Sequence, residues 1–269
     1  MKFPIILPEL DPILISIGPL AIRWYSLAYI TGILFALFWL KHDNKKENFL
    51  SEKAYDDWLI WAVGSIILGG RAGYVLFYNL LYFLDHPLEI FAFWQGGMSF
   101  HGGLLGSIFG MWIFAKKYKI DFLKLTDSLS VAAPVGLFFG RLANFINMEL
   151  YGRVTNSDFG VIFPNGGDLP RHPSQLYEAF LEGLIIFAIL LSLRYFTKIQ
   201  NRRGLTSGIF LILYGFFRIL SENFREPDLQ IGFFDFGTQL QITMGQILSL
   251  PIILTGIFII FYQKRSNDF

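Results

Sequence analysis

Cysteine is absent from the 269 residues, which excludes disulfides, thiolate metal sites and a cysteine nucleophile belonging to the chain itself. Any thiol chemistry must use a partner's thiol. Charge is also scarce: Asp, Glu, Lys and Arg make up 16% of the chain and the formal net charge is +1, so no bulk attraction to nucleic acid is expected. No grouping of His, Asp and Glu has metal-ligand spacing, and neither a Gly-x-Ser-x-Gly elbow nor a P-loop occurs. The residues therefore call for neither a metal nor a cofactor. In the first twenty residues Pro4, Pro8, Glu9, Asp11 and Pro12 break any apolar run. A cleaved signal peptide is not expected there, and the stretch reads as an irregular or interfacial lead-in to a first span.

Apolar residues, in contrast, are abundant. Hydrophobic residues reach 54% and the mean hydropathy is +0.48, too apolar for one ordinary water-soluble domain. The 30 Phe, 12 Tyr and 6 Trp suit helix packing in lipid and the membrane interface. Apolar runs long enough for a hydrocarbon core of roughly 30 Å lie near 20–40, 57–81, 97–115, 122–146, 175–196, 205–222 and 241–262. The expected fold is an all-α integral membrane protein of about seven transmembrane helices with a small outer (periplasmic) cap. The whole of 1–269 reads as a single polytopic domain, with residues 147–174, rich in Gly, Asn, Asp and Pro, as the cap segment.

Sorting the 22 basic residues gives the orientation. Fourteen fall on the side reached after spans 1, 3, 5 and 7, including Lys41, Lys45, Lys46, Lys116, Lys117, Lys119, Arg202, Arg203, Lys264 and Arg265; four, Lys2, Arg153, Arg171 and Arg225, fall on the other. The positive-inside rule then puts the C-terminus in the cytoplasm and the N-terminus outside. The remaining four, Arg23, Arg71, Arg141 and Arg218, fall within the spans. Gly102, Gly106 and Gly110 in span 3, with Gly64, Gly69, Gly70 and Gly73 in span 2, are spaced for close helix packing.

A charged residue at mid-bilayer costs roughly 3 kcal/mol on insertion scales, so such residues usually face a polar cavity. This topology gathers Tyr25, His101, Arg141, Asn144, Asn147, Arg218 and Glu222 in the outer halves of their spans. A shared cavity opening outward is the economical reading. Two arginines, Arg141 and Arg218, require anionic compensation, and a lipid phosphate supplies it with geometry suited to a guanidinium. His101, followed by two glycines, is a candidate proton acceptor or a plain helix cap. Glu222 either contacts substrate or orients Arg218 or Arg225. Arg71 either lines the cavity or caps carbonyls or pairs with a carboxylate. Arg23, beside Trp24, fits an interfacial snorkelling role. His172 is expected to begin span 5 and pack the cap, with Ser174 as N-cap, while His42 and His86 show no evident chemistry.

Residues 140–152, Gly-Arg-Leu-Ala-Asn-Phe-Ile-Asn-Met-Glu-Leu-Tyr-Gly, closely resemble the signature of the bacterial prolipoprotein diacylglyceryl transferase family. The resemblance extends to His101–Gly106, Gly70–Tyr74, Arg171–Glu178 and Arg218–Asp228, and covers essentially the whole chain. It implies transfer of the diacylglyceryl group from phosphatidylglycerol to the lipobox cysteine of a prolipoprotein signal peptide, forming a thioether and releasing glycerol phosphate. A bacterial inner-membrane location is implied as well. His101 is then the candidate base, and Arg141 and Arg218 the phosphate ligands and charge stabilisers. The resemblance also marks Asn144 for lipid contact, Glu149 for orienting Arg141, Gly152 for close backbone packing and Tyr25 as a hydroxyl donor near the headgroup. Two other classes compete. A transporter would carry polar residues along its whole path, and a lipid-phosphate hydrolase would use the same arginines but pass the lipid to water.

Overall fold

The computed structural model describes residues 5–18, 20–227, 232–235 and 241–266. Lys2 and Asp228 lie outside the described residues. Among the described residues seven long helices occur: α1 Trp24–Glu47, α2 Glu52–Tyr78, α3 Phe100–Tyr118, α4 Phe122–Ile146, α5 Ser174–Phe196, α6 Leu205–Glu222 and α7 Met244–Ser266. Six of them are long and apolar enough to cross a membrane; α3, where four glycines, His101 and two lysines dilute the apolar residues, is not among the six. The chain is a multi-pass membrane protein.

Several boundaries differ from the hydropathy runs, for local reasons. Span 1 begins at Trp24 rather than residue 20, because Leu20–Arg23 (β3) pairs antiparallel with Ile13–Ile17 (β2). The end of the lead-in is thus a pair of strands, and Arg23 is an exposed strand residue rather than part of the span. Helix α1 continues through Lys41–Glu47, where Lys45 and Lys46 suit the negative end of the helix dipole. Helix α2 starts early because the Ser51 hydroxyl accepts from the Ala54 N–H, and it stops at Tyr78, before a short helix, Leu80–Asp85.

Two compact units divide the chain, Leu40–Leu125 and the remainder. In the first, α2 and α3 pack backbone to backbone. A side chain at Gly69 would strike the Gly102 carbonyl and the Gly106 Cα, and one at Gly110 would strike Ser65. Gly64 differs from its neighbours: it faces open space and is not part of this seam.

The same unit holds Arg71, which is buried. Its guanidinium donates to the carbonyls of Glu89 (2.5 Å), Gly96 (2.6 Å), Ile90 (2.9 Å) and Gly97 (3.2 Å), and it lies 5.1 Å from the Phe83 ring. These four hydrogen bonds all go to carbonyls of one loop. Of the roles open to Arg71, capping is the one it performs. That loop leads into α3, where the Ser99 hydroxyl accepts from Gly102 N–H and the Ser99 N–H donates to the Gly70 carbonyl at 2.9 Å.

In the larger unit α1 approaches α4 at Gly32 and Gly136, and α6 approaches α7 at Gly208, Gly215 and Gly256. An apolar core of Trp39, Val131, Ala132, Ile186 and Leu190 lies among α1, α4 and α5. Asp127, buried in α4, accepts from Gly204 N–H (2.6 Å), Ser207 N–H (2.7 Å) and the Ser207 hydroxyl (2.7 Å). It supplies the cap that α6 lacks in its own sequence. Within α5, Ala179–Ile185 winds as a π-helix, a form seen mostly as short insertions in α-helices and often at functional sites.

Residues 147–173 fold back on themselves. Val161–Ile162 (β4) pairs in parallel with Ile5–Ile6 (β1), Arg171 bridges to both Val154 and Val161, and Phe163 is fully buried beside Met148. Arg153 and Arg171 fasten this segment. Arg153 donates to the carbonyls of Arg225 (2.9 Å) and Glu222 (3.2 Å), and Arg171 to those of Gly166 (2.9 Å) and Gly152 (3.2 Å).

Candidate functional site

Helices α4, α5 and α6, with Arg225 just beyond α6, bring six charges together. Gly183 allows the approach, since a side chain there would collide with Phe138, one helical turn before Arg141. Arg141 Nε lies 2.7 Å from Glu178 Oε2, and Arg218 lies 3.2 Å from Glu178 Oε1 and 2.5 Å from Glu222 Oε1. Glu182 stands between the two arginines, 3.6 Å from Arg218 and 3.7 Å from Arg141. Arg225 completes the group at 3.9 Å from both Glu178 and Glu222. The three carboxylates balance the three guanidiniums.

Burial is uneven. The Glu178 and Glu182 side chains are 1% and 0% exposed, whereas Arg141 and Arg218 retain 17% and 12%. The arginines therefore form the accessible edge of the cluster and the carboxylates its floor. Compensation that the sequence assigns to a lipid phosphate is already present in the protein. Glu178 and Glu182 carry it, and the cost rule that picks out in-span arginines picks out in-span carboxylates equally well when applied to acids.

Glu222, for which pairing and substrate contact were both open, pairs with Arg218 and accepts from the Thr243 hydroxyl at 2.8 Å. Its carboxylate also rests against Gly245, where any side chain would collide with it. Thr243 and Gly245 enter from the start of α7, and nothing in their sequence pattern announces this.

From Arg141 a polar chain runs through the remaining candidates. Arg141 Nη1 donates to Asn144 Oδ1 at 3.3 Å, and Asn144 Nδ2 donates to the Tyr25 hydroxyl. Glu149 lies within hydrogen-bonding reach of that hydroxyl and accepts from Asn147 Nδ2 at 3.2 Å. Asn144 thus contacts Arg141 directly, while Glu149 contacts Tyr25. The backbone that carries Glu149 is strained, because Met148 and Leu150 on either side adopt φ of 56° and 55°, a region non-glycine residues seldom occupy.

Side chains from the returning segment hold that strain in place. Asn165 donates to the Met148 carbonyl (2.7 Å), Gln175 to that of Glu149 (2.7 Å) and Ser174 to that of Leu150 (3.1 Å). Ser174, expected to cap α5, makes no capping bond; its hydroxyl is committed to Leu150. Gly152 is wedged between chains: its N–H donates to the His172 carbonyl at 2.8 Å, and a side chain there would meet the Phe224 carbonyl and His172. His172 packs edge-on against Tyr177 and Phe224. Burial, together with the nearby Arg153 charge, holds its imidazole below the ordinary range.

His101 lies in the smaller unit, in the first turn of α3, with an exposed ring set edge-on to Phe100. Among the described residues no group of His, Asp and Glu could hold a metal ion.

A match to the prolipoprotein diacylglyceryl transferase family spans residues 12–262. The chain is 52% identical over 255 residues to the phosphatidylglycerol–prolipoprotein diacylglyceryl transferase of Rickettsia felis, covering 94% of this chain and 96% of that protein. Enzymes of the same name from Rickettsia typhi and Rickettsia bellii are 52% and 51% identical, covering 95% and 94% of this chain and 97% and 95% of those proteins. The protein carrying this arginine–carboxylate cluster belongs to the prolipoprotein diacylglyceryl transferase family.

Proposed function

We propose that this protein transfers the diacylglyceryl group of phosphatidylglycerol to the lipobox cysteine thiol of a prolipoprotein, forming a thioether and releasing glycerol phosphate. One observation carries the reading at the level of residues: Arg141 and Arg218 are fixed on a common carboxylate, Glu178, with their exposed edges on the same cluster. Two guanidiniums held at that spacing can grip one phosphate in bidentate fashion. Gripping it stabilises the charge that builds on the leaving oxygen as the glyceryl carbon–oxygen bond breaks. The arginines are oriented in advance, so little reorganisation accompanies the reaction.

The thiol, with an ordinary pKa of about 8.5, must lose its proton before sulfur attacks carbon. His101 is our candidate acceptor, and its exposure leaves the ring reachable. Asn144 sets the Arg141 fork, Tyr25 and Glu149 line the headgroup position next to it, and Gly152 lets the returning backbone pack closely. The absence of cysteine fits a nucleophile that arrives with the substrate. The basic-residue bias supports an outer N-terminus, a cytoplasmic C-terminus, and residues 147–174 as the outer cap of a protein in the bacterial cytoplasmic membrane.

The test uses purified protein, labelled phosphatidylglycerol and a lipobox peptide bearing Cys or Ser at the acceptor position. Transfer to the Cys peptide alone is expected. Release of the labelled lipid to water without peptide lipidation would sink the transferase reading in favour of a hydrolase. For the base, His101→Gln should slow transfer and remove one limb of the pH–rate profile; an unchanged profile would leave that residue a structural part only.

A further inference from the structure

We propose that Glu182 is a proton-linked counterion, which takes up a proton when a lipid phosphate binds Arg141 and Arg218 and loses it when the phosphate product leaves. The inference rests on the phosphate-binding role given to those arginines above.

At rest the charges balance. Arg141, Arg218 and Arg225 face Glu178, Glu182 and Glu222, so the cluster is neutral with every group ionised. A phosphodiester adds one negative charge. An uncompensated charge in a buried site is expensive, and such a site usually answers by changing its protonation.

The three carboxylates are not held equally. Glu222 has Arg218 at 2.5 Å and the Thr243 hydroxyl at 2.8 Å. Glu178 has Arg141 at 2.7 Å and Arg218 at 3.2 Å. Glu182 is fully buried, and its arginines stand off at 3.6 Å and 3.7 Å. Its charged form has the least support, so a fourth anion displaces its charge first.

Geometry makes the exchange direct. Glu182 spans the same two arginines that a bidentate phosphate would span, and it approaches them from the floor of the cluster. The charged and titratable groups facing it are Arg141 from α4, Glu178 from its own helix, and Arg218 and Tyr214 from α6. The two cations remain cations, and the phosphate competes for them. Glu182 touches no reacting atom in this scheme and acts through the arginines, as a positioning residue. Once product leaves, the ionised carboxylate again holds both forks apart for the next lipid.

The experiment measures binding of a short-chain phosphatidylglycerol to the full-length protein by calorimetry. Runs between about pH 6 and pH 8, in buffers of different ionisation enthalpy, count the protons taken up. Wild type should take up close to one proton per lipid at the alkaline end, with affinity falling by up to tenfold per pH unit. Glu182→Gln, nearly isosteric with the protonated form, should bind with a flat pH profile and no uptake, and glycerol phosphate should inhibit it more strongly. Glu182→Asp should keep the uptake. No uptake by wild type, or uptake that persists in Glu182→Gln, overturns the proposal and assigns any pH dependence to another group. Wild type that lipidates the Cys peptide yet shows either result leaves the transferase reading intact. Wild type that neither binds nor transfers the lipid removes both.

Discussion

Arg71 and Arg141 are both arginines within apolar helices, yet they are held in opposite ways. Arg71 meets four neutral carbonyls of one loop, which take four of its five N–H donors. Arg141 meets the carboxylates Glu178 and Glu182, shares one donor with Asn144 and keeps an exposed edge. The acceptor type separates the two roles. Carbonyls satisfy a guanidinium while leaving its net charge uncancelled, which suits a permanent staple. Carboxylates neutralise it and can be traded for another anion, which suits a binding site.

The same contrast runs through the helices around them. Helices α2 and α3 meet through glycine backbones, whereas α4, α5 and α6 meet through ion pairs as well as apolar contacts. The sharpest break of this contrast is Arg141→Ala, which should lower the transfer rate by about 100-fold or more, the usual cost of losing a preorganised charge stabiliser. The protein should stay folded, as judged by thermal unfolding in detergent. Transfer at the normal rate would remove Arg141 from the site.

Next comes the glycine seam. Gly106→Leu should lower stability by about 3 kcal/mol or more, because backbone rather than a yielding side chain lies opposite. Unfolding temperature and yield measure it, and a stable Gly106→Leu protein would show that the seam tolerates separation. Arg71→Lys tests the staple: a point charge cannot serve four carbonyls at once. A loss of about 1–3 kcal/mol and faster proteolysis within residues 86–98 are expected, with lipid affinity little changed. Weakened lipid binding without loss of stability would erase the distinction between Arg71 and Arg141.

The smallest effect concerns His172. Its folded-state pKa is depressed by burial and Arg153, so the unfolded chain binds the proton more readily. Its contribution to stability should be present above the ordinary imidazole pKa and fall away as pH drops through it. His172→Gln should flatten that limb in a thermal-unfolding series, and an identical pH dependence in the variant would assign the effect elsewhere.

The helices were legible because a bilayer demands long apolar runs and satisfied backbones. The 122–146 span is the clearest case, matching α4 at both ends. Boundaries failed where short-range pairing overrides hydropathy, as at Leu20–Arg23, which prefers a strand partner to the first helical turn. At the site, Arg141, Asn144, Arg218 and Glu222 were legible from cost and spacing, and Tyr25 joined them through Asn144. Glu178 and Glu182 carry no such signal in the positive-inside rule, which sorts basic residues alone. Asn165 and Gln175 were invisible for another reason: their partners are backbone carbonyls of Met148 and Glu149, and a carbonyl carries no residue identity.

The π-helical stretch at Ala179–Ile185 bears on how this helix can change through descent. Such a stretch holds a surplus residue relative to regular winding, so it resets the phase between the helical turns on its two sides. Glu178 lies just before it, and the buried core residues Ile186 and Leu190 lie after it. Deleting a single residue there would keep a helix of almost the same composition and hydropathy while rotating the carboxylate end away from its arginines. A lineage could therefore lose this chemistry by the smallest possible deletion and still present, to any measure of hydrophobicity, the same membrane protein.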